Sequence, residues 1–578
     1  MPLDRRRFLY ASAGALAGAA GGCQRRAVPP LEQDGDTTVF YNGTVLPMDA
    51  HLSQLSALAV HNDKILAVGD RDTVLGIAGK RARQIDLQGR TLMPGFIEPH
   101  MHFSLLAGFG GFPDIGAFNY PTFEQALAAL KEAAASTPHD QWITARQFDP
   151  VLLDPPRELT ISELDPIAPD RPMFILNASG HIGYVNSKTL AIAGITQDTP
   201  DPPGAAIGRY ADGTPNGVLY GSSAHGLVMQ HNTSLMQRMS SGFVSAGRDV
   251  GELAASLGIT TLCDMATGGL AGPAELQRYR EMFEGGRMKS RIRAYVYDGA
   301  ESLWDNASTR PGDGESLVRV AGWKIVSDGS NQGYTGRQRQ PYIGTENLGI
   351  FYVDPEDLKA KVATRTAQGW PMAIHGNGDA AIDSILDAME SAKAQGIDVN
   401  ALRCHIEHCS ILHDEQIARM AALNMVPSFL INHVHYWGHV MRDRVFGPEK
   451  VQLLDRCASV EKAGLKWVMH TDAPVSPLGS LQKVRTAVAR DLWKEPDNVL
   501  APQERVSVEV ALRAVTANAA AACHSEHEIG MLAPGLQADL VVLEDDPRQV
   551  APSRIANIGI SATYMAGKQV FGSLLAPG

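Results

Sequence analysis

Short apolar runs alternate with segments of helical periodicity through the middle of the chain, over residues 94–524. This alternation is typical of parallel α/β folds, because each buried strand is followed by a helix that covers the sheet. Eight runs are candidate strands, the number that closes a (β/α)8 TIM-like barrel. The predicted barrel strands are Gly95–His100, Gly258–Met265, Arg291–Tyr297, Val320–Val326, Trp370–His375, Leu402–Glu407, Met425–Leu430 and Lys466–Thr471.

A long stretch separates the first two predicted barrel strands. Residues 103–245 contain strand-like runs of their own, at Trp142–Arg146 and Met173–Asn177. Because a structureless loop of this length is uncommon in a compact domain, we expect the insertion to be an ordered lid or cap. The predicted barrel domain therefore spans residues 94–524 and includes this insertion.

Both ends of the chain after the first 35 residues show the pattern of short β-strands. Near the N-terminal end, the runs Ala57–Val60 and Lys64–Val68 lie on either side of a polar turn, which is typical of a hairpin. Ala538–Leu543 has the same character near the C-terminus. We therefore expect residues 36–93 and 525–578 to form one small composite β-sandwich.

The first 35 residues have the pattern of an export signal and a linker. A basic start, Arg5-Arg6-Arg7-Phe8-Leu9, is followed by an Ala/Gly-rich apolar stretch. Paired arginines before Phe-Leu resemble the twin-arginine class of signals. Cys23 follows Ala20-Gly21-Gly22, which resembles a lipoprotein cleavage box. The prediction is a periplasmic protein or a membrane-anchored lipoprotein; the alternative, a basic amphipathic first helix, is disfavoured by the glycines.

Net charge and cysteine content limit the kinds of molecule that this chain can bind. Net charge is −12 and there is no long basic run, so nucleic acid is excluded as a partner, because phosphate binding needs clustered Lys and Arg. The six cysteines contain no CxxC pair, so we expect mostly buried free thiols instead of a disulfide scaffold. A small-molecule substrate fits this composition, and the sequence leaves open whether the chain forms a homo-oligomer.

Polar residues stand where the predicted barrel strands end, which is where active sites of such barrels lie. His100 and His102 follow the first strand, and in an extended chain residues i and i+2 point to the same side, so both imidazoles can reach one ion. His375 and Asp472 end later strands. His408 ends another, although the neighbouring His405 competes with it for the same role.

Lys324 lies inside a predicted barrel strand, where an unpaired charge is costly. A buried lysine loses its proton readily, and a neutral amine can take up CO2 to become a carbamate. Carbamylated Lys324 would supply a carboxylate that bridges two cations. The alternative is a structural lysine that pairs with a neighbouring carboxylate.

The order of these residues resembles the amidohydrolase superfamily, with His-x-His on strand one, Lys on four, His on five and six, and Asp on eight. Further stretches resemble the YtcJ-like, amidohydrolase-3 branch, which includes N-substituted formamide deformylases. The matching stretches are Pro94–His102, Tyr184–Lys188, Lys324–Ser330, His375–Ala380, Ile406–His408, Asp472–Val475 and Ala538–Leu543.

The resemblance implies a metal-dependent hydrolase that acts on a carbon–nitrogen bond of a non-peptide amide. One or two Zn2+ ions would lower the pKa of bound water, and the resulting hydroxide would attack the carbonyl. Asp472 would pass the water proton to the leaving nitrogen, as its counterpart does in the family. We also expect four residues to contact substrate: His181, Asp328, Asp379 and His433.

One position differs from the family pattern in a way that bears on function. Relatives often carry Glu near the position of Gly221, so substrate inference from the family is weakened here. The missing Glu favours one alternative, an exported binding protein on a barrel that has lost turnover. A second alternative is a deaminase or isomerase on the same metal frame.

Overall fold

The computed structural model describes residues 36–574, apart from the side chains at positions 234, 236 and 238. The predicted export signal and Cys23 therefore lie outside the described residues. The described chain contains 21 strands, numbered in chain order: β1 Thr37–Val45, β2 Leu55–His61, β3 Lys64–Gly69, β4 Arg83–Asp86, β5 Thr91–Pro94, β6 Phe96–Met101, β7 Ile143–Phe148, β8 Met173–Asn177, β9 Ile182–Val185, β10 Ala206–Arg209, β11 Pro215–Tyr220, β12 Ile259–Thr267, β13 Arg291–Tyr297, β14 Val318–Val326, β15 Met372–Gly376, β16 His405–His408, β17 Val426–Phe429, β18 Val468–Met469, β19 Leu540–Leu543, β20 Ile560–Met565 and β21 Lys568–Gly572.

The α-helices of the same residues are α1 Arg71–Ala78, α2 Phe103–Phe109, α3 Phe123–Ser136, α4 Ile161–Leu164, α5 Ser187–Ala193, α6 Ser222–Met229, α7 Thr233–Ser256, α8 Ala274–Met282, α9 Glu301–Asn306, α10 Pro355–Ala367, α11 Asp379–Ala394, α12 Val399–Leu402, α13 Asp414–Ala422, α14 Gly438–Val440, α15 Gly447–Lys450, α16 Cys457–Lys462, α17 Ser480–Ala489, α18 Val508–Ala514 and α19 Ala517–Ala522. Within the described range, none of the helices is both long and apolar enough to cross a membrane.

The eight predicted barrel strands are present and form one parallel sheet, in the order β18-β17-β16-β15-β14-β13-β12-β6. Two backbone hydrogen bonds join its ends: Asp472 N donates to His100 O at 3.2 Å, and His102 N donates to Ala473 O at 2.8 Å. The predicted TIM-like barrel is confirmed. The backbone contacts that close it come from the segments that carry three of the predicted metal ligands.

The sixth barrel strand begins three residues later than predicted. The sequence predicts a strand over Leu402–Glu407, but Leu402 ends the one-turn helix α12, and β16 starts at His405. Asp398 caps that helix by accepting a hydrogen bond from the Ala401 N–H. Arg403 then adopts a left-handed conformation (φ 49°), which ends the helix before the strand begins.

The closed end of the barrel is filled by side chains and sealed by the short helix α19. Cys263 and Tyr295 point into this core, together with Ala520 of α19. The Tyr295 hydroxyl donates to the Ala522 carbonyl at 3.2 Å, which fixes the helix against the barrel. This packed end leaves the opposite end, where the strands finish, as the open face. The cysteines of the described chain are buried and free, as predicted: Cys263, Cys404, Cys409, Cys457 and Cys523.

The insertion after β6 is ordered, as the sequence predicts. Its strands form a separate five-stranded sheet in the order β10-β11-β9-β8-β7. The two predicted runs correspond to β7 and β8, which pair in parallel. The predicted end at residue 245 lies within the long helix α7, which leads into β12.

Strands from both termini share one mixed sheet of eight strands, in the order β21-β20-β19-β5-β1-β2-β3, with β4 paired to β1. This is a single connected sheet, where the sequence predicts a sandwich of two. The sheet curls around its own apolar core, because Phe40 of β1 and Tyr564 of β20 meet with ring centroids 5.2 Å apart although two strands separate them.

Candidate metal centre and active-site cavity

Three predicted ligands meet at the open end of the barrel. Asp472 Oδ1 lies 3.2 Å from His100 Nε2 and 3.1 Å from His102 Nε2. One ligand atom from each of the three lies within 4.8 Å of the others, a spacing that a single ion can bridge. These contacts join strand one to the residue that follows strand eight, at the seam of the barrel.

The Asp472 carboxylate oxygen at this point has no hydrogen-bond partner, although two imidazole nitrogens lie so close to it. His408 Nδ1, which lies 3.8 Å from Asp472 Oδ2, is likewise buried without a partner. A buried carboxylate is costly unless it is paired or bound to a metal. The donor set of imidazoles and a carboxylate therefore fits a divalent cation such as Zn2+.

Two buried carboxylates orient the histidines from behind. His100 Nδ1 donates to Glu407 Oε2 at 2.7 Å, and His375 Nδ1 donates to Asp328 Oδ1 at 2.9 Å. Each bond places the ring proton on Nδ1, so that Nε2 of that imidazole is unprotonated and able to bind a metal. Histidine ligands of metals are commonly held in this way, so both contacts support the predicted ligand roles.

The remaining predicted ligands surround the same point. Lys324 Nζ lies 3.5 Å from His100 Nε2. The rings of His375 and His408 have centroids 4.3 Å apart, and the His408 ring lies 5.0 Å from that of His100. The structure thus brings all six predicted ligands to one place.

The competition between the two histidines of strand six is resolved by geometry. His405 Nδ1 donates to Glu407 Oε1 at 3.1 Å, on the side of the carboxylate away from His100, and its ring lies 6.0 Å from that of Tyr295 in the barrel core. His408 adopts a left-handed conformation (φ 69°) at the end of the strand, and its ring lies next to the other ligands.

Sequence reasoning missed Glu407 as part of the site. Glu407 is fully buried and lies two residues after His405, and this spacing within an apolar strand could have indicated a residue that points inward with it. His470 stacks on His100 with ring centroids 4.3 Å apart. Glu407, His470 and His100 also have the spacing of a metal set, but the Glu407 carboxylate already accepts hydrogen bonds from two histidines.

Burial and neighbouring charges set the protonation of the site. Burial lowers the pKa of Lys324, and the nearby carboxylates of Glu407 and Asp472 oppose this only in part. Burial raises the pKa of Asp472, but the adjacent imidazoles outweigh it, so that pKa lies well below its usual value. The pKa of His375 is well below its usual value because the ring is buried and lies near Lys324. A lysine that gives up its proton more readily than usual and an ionised aspartate both favour cation binding here.

A cavity of about 390 Å3 opens over the candidate ligands. Its floor includes His102, Lys324, His375, His408 and Asp472. Most of the walls come from the insertion, including α2, and others from the loop after β12, so the insertion covers the open end of the barrel as a cap. The size falls within the range of small-molecule sites in proteins.

Of the four residues predicted to contact substrate, His181 lines the cavity. Its ring lies 5.0 Å from that of His375 and 5.6 Å from that of Tyr352. Burial, with a contribution from His375, lowers the pKa of His181 to about 3, so the imidazole is neutral at pH 7. A neutral imidazole at this position can donate or accept a hydrogen bond without adding charge.

The structure places Asp328, Asp379 and His433 away from the cavity lining. Asp328 is fully buried behind His375 and accepts from the N–H groups of Asn377 and Gly378, at 3.0 and 2.9 Å. It therefore positions a candidate ligand instead of contacting substrate.

The other two residues are held by the surrounding protein. Asp379 begins α11 and binds Lys450 at 2.9 Å and His413 Nε2 at 3.1 Å. His433 is buried, with its Nδ1 3.3 Å from the Ser410 hydroxyl. Neither residue lines the cavity, and these contacts take the place of the predicted contact with substrate.

Gly221 has a backbone reason to be glycine. Its φ is 86°, a left-handed conformation that a glutamate would adopt only with strain. An added Cβ would lie 3.2 Å from the Ala205 Cβ and from the Gly204 carbonyl oxygen. The Gly221 N–H donates to the His181 carbonyl at 2.8 Å, so this glycine helps to hold the loop of a cavity residue.

Known proteins resemble this chain over most of its length. The model of a family described as "Amidohydrolase family" matches residues 83–571. An N-substituted formamide deformylase of Arthrobacter pascens is 29% identical over 537 residues, which are 92% of this chain and 97% of the relative. A putative amidohydrolase, YtcJ, of Bacillus subtilis is 25% identical and covers 92% of this chain and 99% of its own. The resemblance to the YtcJ-like amidohydrolase branch is confirmed.

A solved structure shows the same fold. An uncharacterized metal-dependent hydrolase from Pyrococcus furiosus superposes with a TM-score of 0.66 at 24% identity. The match covers 89% of this chain and 100% of that one. The barrel with its additions is therefore an arrangement that another protein also adopts.

Proposed function

Because the chain belongs to the amidohydrolase family, we propose that it hydrolyses the carbon–nitrogen bond of a small amide, with a divalent cation held by the residues at the barrel opening. The observation that carries the proposal is the contact of His100, His102 and Asp472, whose carboxylate oxygen lies between two imidazoles and has no hydrogen-bond partner. The relative from Arthrobacter pascens, an N-substituted formamide deformylase, supports a C–N bond as the target.

We propose that the same six residues hold one or two Zn2+ ions. His100, His102, His375, His408 and Asp472 would hold the ions directly. Lys324, which is buried 3.5 Å from His100, would supply a further carboxylate as its carbamate. When bound, such ions lower the pKa of water and polarise a carbonyl, which supplies a nucleophile at neutral pH.

Asp472 is the proposed proton carrier. It would take the proton of the attacking water while the water oxygen bonds to the carbonyl carbon. The C–N bond would then break, and Asp472 would pass the proton to the leaving nitrogen, so that an acid and an amine result. Its low pKa keeps the carboxylate ionised, so its oxygens are unprotonated when the water attacks. His181, neutral and facing the cavity, would hydrogen-bond the substrate.

The complete set of candidate ligands supports an enzyme over a barrel that has lost turnover. The absence of Glu at position 221 was the feature that favoured loss, and the structure gives that glycine a backbone role. The geometry contains no feature, among the described residues, that favours deamination or isomerisation instead.

The test is metal analysis and hydrolysis on the same protein. Chain purified without chelator should contain one to two zinc ions and should hydrolyse members of a panel of N-formyl, N-acyl and cyclic amides. Asp472→Asn keeps the size of the side chain and removes its basic oxygen, so turnover should fall by at least about 10²–10⁴-fold. Full activity of metal-free protein, or normal kcat in Asp472→Asn, would refute the proposal.

We also propose that the protein is exported through a twin-arginine signal and is periplasmic or anchored by lipid at Cys23. The support is the sequence of the first 35 residues: paired arginines, an Ala/Gly-rich apolar stretch and a cysteine after small residues.

A further inference from the structure

The lining of the cavity over the candidate ligands has two chemically different parts. One part consists of the polar candidate ligands. Another part is mostly hydrocarbon and is called here the apolar wall. It consists of Leu105, Leu106, Phe109, Met229 and Leu270. Each of these side chains is half-buried, so part of its apolar surface faces the cavity.

The apolar wall lies close to the reacting centre because of the chain that carries it. Helix α2 starts directly after the candidate ligand His102. Residues 105 and 109 are four apart, so they lie on one side of the helix, and Leu106 lies beside them. The wall therefore begins within about one to two helical turns of a candidate ligand, roughly 5–10 Å along the helix.

The shape of the wall is supported from behind. Phe109, Met229 and Leu270 pack against a buried cluster of Phe112, Leu235 and Met239. Because this cluster lies between α2, α6 and α7, the wall is held by packed helices. A preformed apolar surface binds an apolar group without a large ordering cost.

The described side chains around the wall offer no unpaired charge. Arg146 also lines the cavity, but its guanidinium lies 3.4 Å from the Asp114 carboxylate and donates to the Phe112 carbonyl at 3.3 Å. Burial lowers the pKa of His225 to about 4, so that ring is neutral at pH 7. A charged group of a ligand placed beside the apolar wall would lose its hydration without gaining an ionic partner.

We infer that the substrate is an uncharged amide with a bulky apolar group, which lies against the apolar wall while the amide reaches the candidate metal ligands. This inference rests on the proposed function and adds to it the chemical class of the substituent. Each methylene that moves from water to the wall should raise kcat/KM by about threefold to fourfold, until the cavity is full.

Two matched series of amides test the inference on the metal-loaded whole chain. N-alkylacetamides and N-methyl fatty amides of increasing chain length place the apolar group on either side of the amide. We expect kcat/KM to rise with length in at least one series, and a terminal carboxylate or ammonium to abolish the gain. A flat dependence in both series, or a preference for the charged compounds, would overturn the inference.

A binding measurement separates this inference from the proposed function. Primary alcohols from butanol to octanol need no turnover, and calorimetry reports their binding directly. If no amide is hydrolysed but alcohol affinity rises with length, the proposed C–N hydrolysis fails and the apolar site stands. If amides are hydrolysed without length dependence, and alcohols bind equally at every length, hydrolysis stands and the apolar site is refuted.

A variant pair locates the effect. Leu106→Gln makes the wall polar and should remove most of the chain-length dependence. The control is Leu227→Gln, a half-buried leucine of α6 that packs in the core of the insertion and does not line the cavity. If Leu106→Gln does not fold, Leu106→Ala should move the best chain length upward, because it enlarges the cavity. An unchanged length profile in the folded Leu106 variant would overturn the placement of the group.

Discussion

His100 Nδ1 lies 2.7 Å from Glu407 Oε2, and both side chains are fully buried. The bond joins barrel strands one and six and fixes which nitrogen of His100 faces the other candidate ligands. Because the same carboxylate also accepts from His405 at 3.1 Å, its position is held from two sides. The site therefore depends on a residue that need not touch metal or substrate.

Replacing Glu407 by Gln should weaken metal binding by about 10–100-fold, because the charge that orients His100 is lost. Competition with a coloured chelator measures the change. Glu504→Gln is a matched control, since Glu504 is also buried but binds Arg456 and Ser459 instead of a candidate ligand. Equal zinc affinity in Glu407→Gln and the wild type would contradict the positioning role.

Changing Lys324 to Ala distinguishes the two interpretations of this buried lysine. If Lys324 is carbamylated, the variant should lose the second metal and most of its activity, and formate or acetate should restore part of both by filling the space. Elemental analysis per folded chain gives the answer without knowledge of the substrate. Full metal occupancy in Lys324→Ala would leave a single ion held by histidines and Asp472.

A second buried lysine provides the control. Lys483 is fully buried and binds Glu98 at 2.8 Å, without contacting a candidate ligand. Lys483→Met should lower the free energy of unfolding and leave the metal count per folded chain unchanged, with no rescue by acids.

Asp379→Asn should lower stability without lowering turnover, because Asp379 binds Lys450 and His413 outside the cavity. Burial raises the pKa of Asp379, but these neighbours lower it more, to about 2. A carboxyl whose folded pKa lies below its unfolded value stabilises the protein above about pH 4, and this contribution is lost as the pH falls towards 2. The expected loss at pH 7 is about 2 kcal/mol.

Urea unfolding of the wild type and of Asp379→Asn from pH 7 down to pH 2 tests this pH dependence of the free energy of unfolding. The difference between them should be constant above about pH 4 and should shrink below it. Asp387→Asn, on the exposed side of the same helix, should change little. A large drop in kcat for Asp379→Asn would instead support the contact with substrate that the sequence predicts.

Changing Arg5 and Arg6 to Lys should leave the precursor in the cytoplasm, because twin-arginine export depends on the arginine pair. Fractionation followed by immunoblotting measures the exported share. Arg25 and Arg26, which follow the apolar stretch, form the matched control pair, and their change to Lys should not alter export. Unchanged localisation of the first variant would refute twin-arginine export.

The order of the barrel strands was predictable because it depends on local patterns. Apolar runs between helical segments mark strands wherever a parallel sheet is covered on one face and filled on the other. Arg291–Tyr297 has the same bounds in the sequence prediction and in the structure. Lys466–Thr471 is shorter in the structure, at Val468–Met469, because only that part pairs with β17.

The candidate metal ligands at strand ends were also predictable from local patterns. Which of them lie together at the site was not. His100 and His102 follow from the two-residue repeat of a strand. His408 departs from that repeat, because its left-handed backbone turns the ring back among the other ligands. The sequence predicts His408 with His405 as a competitor, and the left-handed backbone at His408 separates the two.

The sequence by itself determined the barrel, its cap, the set of candidate ligands and the family. Only the tertiary structure decided which polar residues meet, because Glu407, Asp328 and Asp379 acquire their partners from elements distant in the chain. It also decided the character of the cavity, whose apolar wall joins α2, α6 and the loop after β12. No local sequence pattern predicts that these three segments line one cavity, because they come together only when the insertion packs onto the barrel.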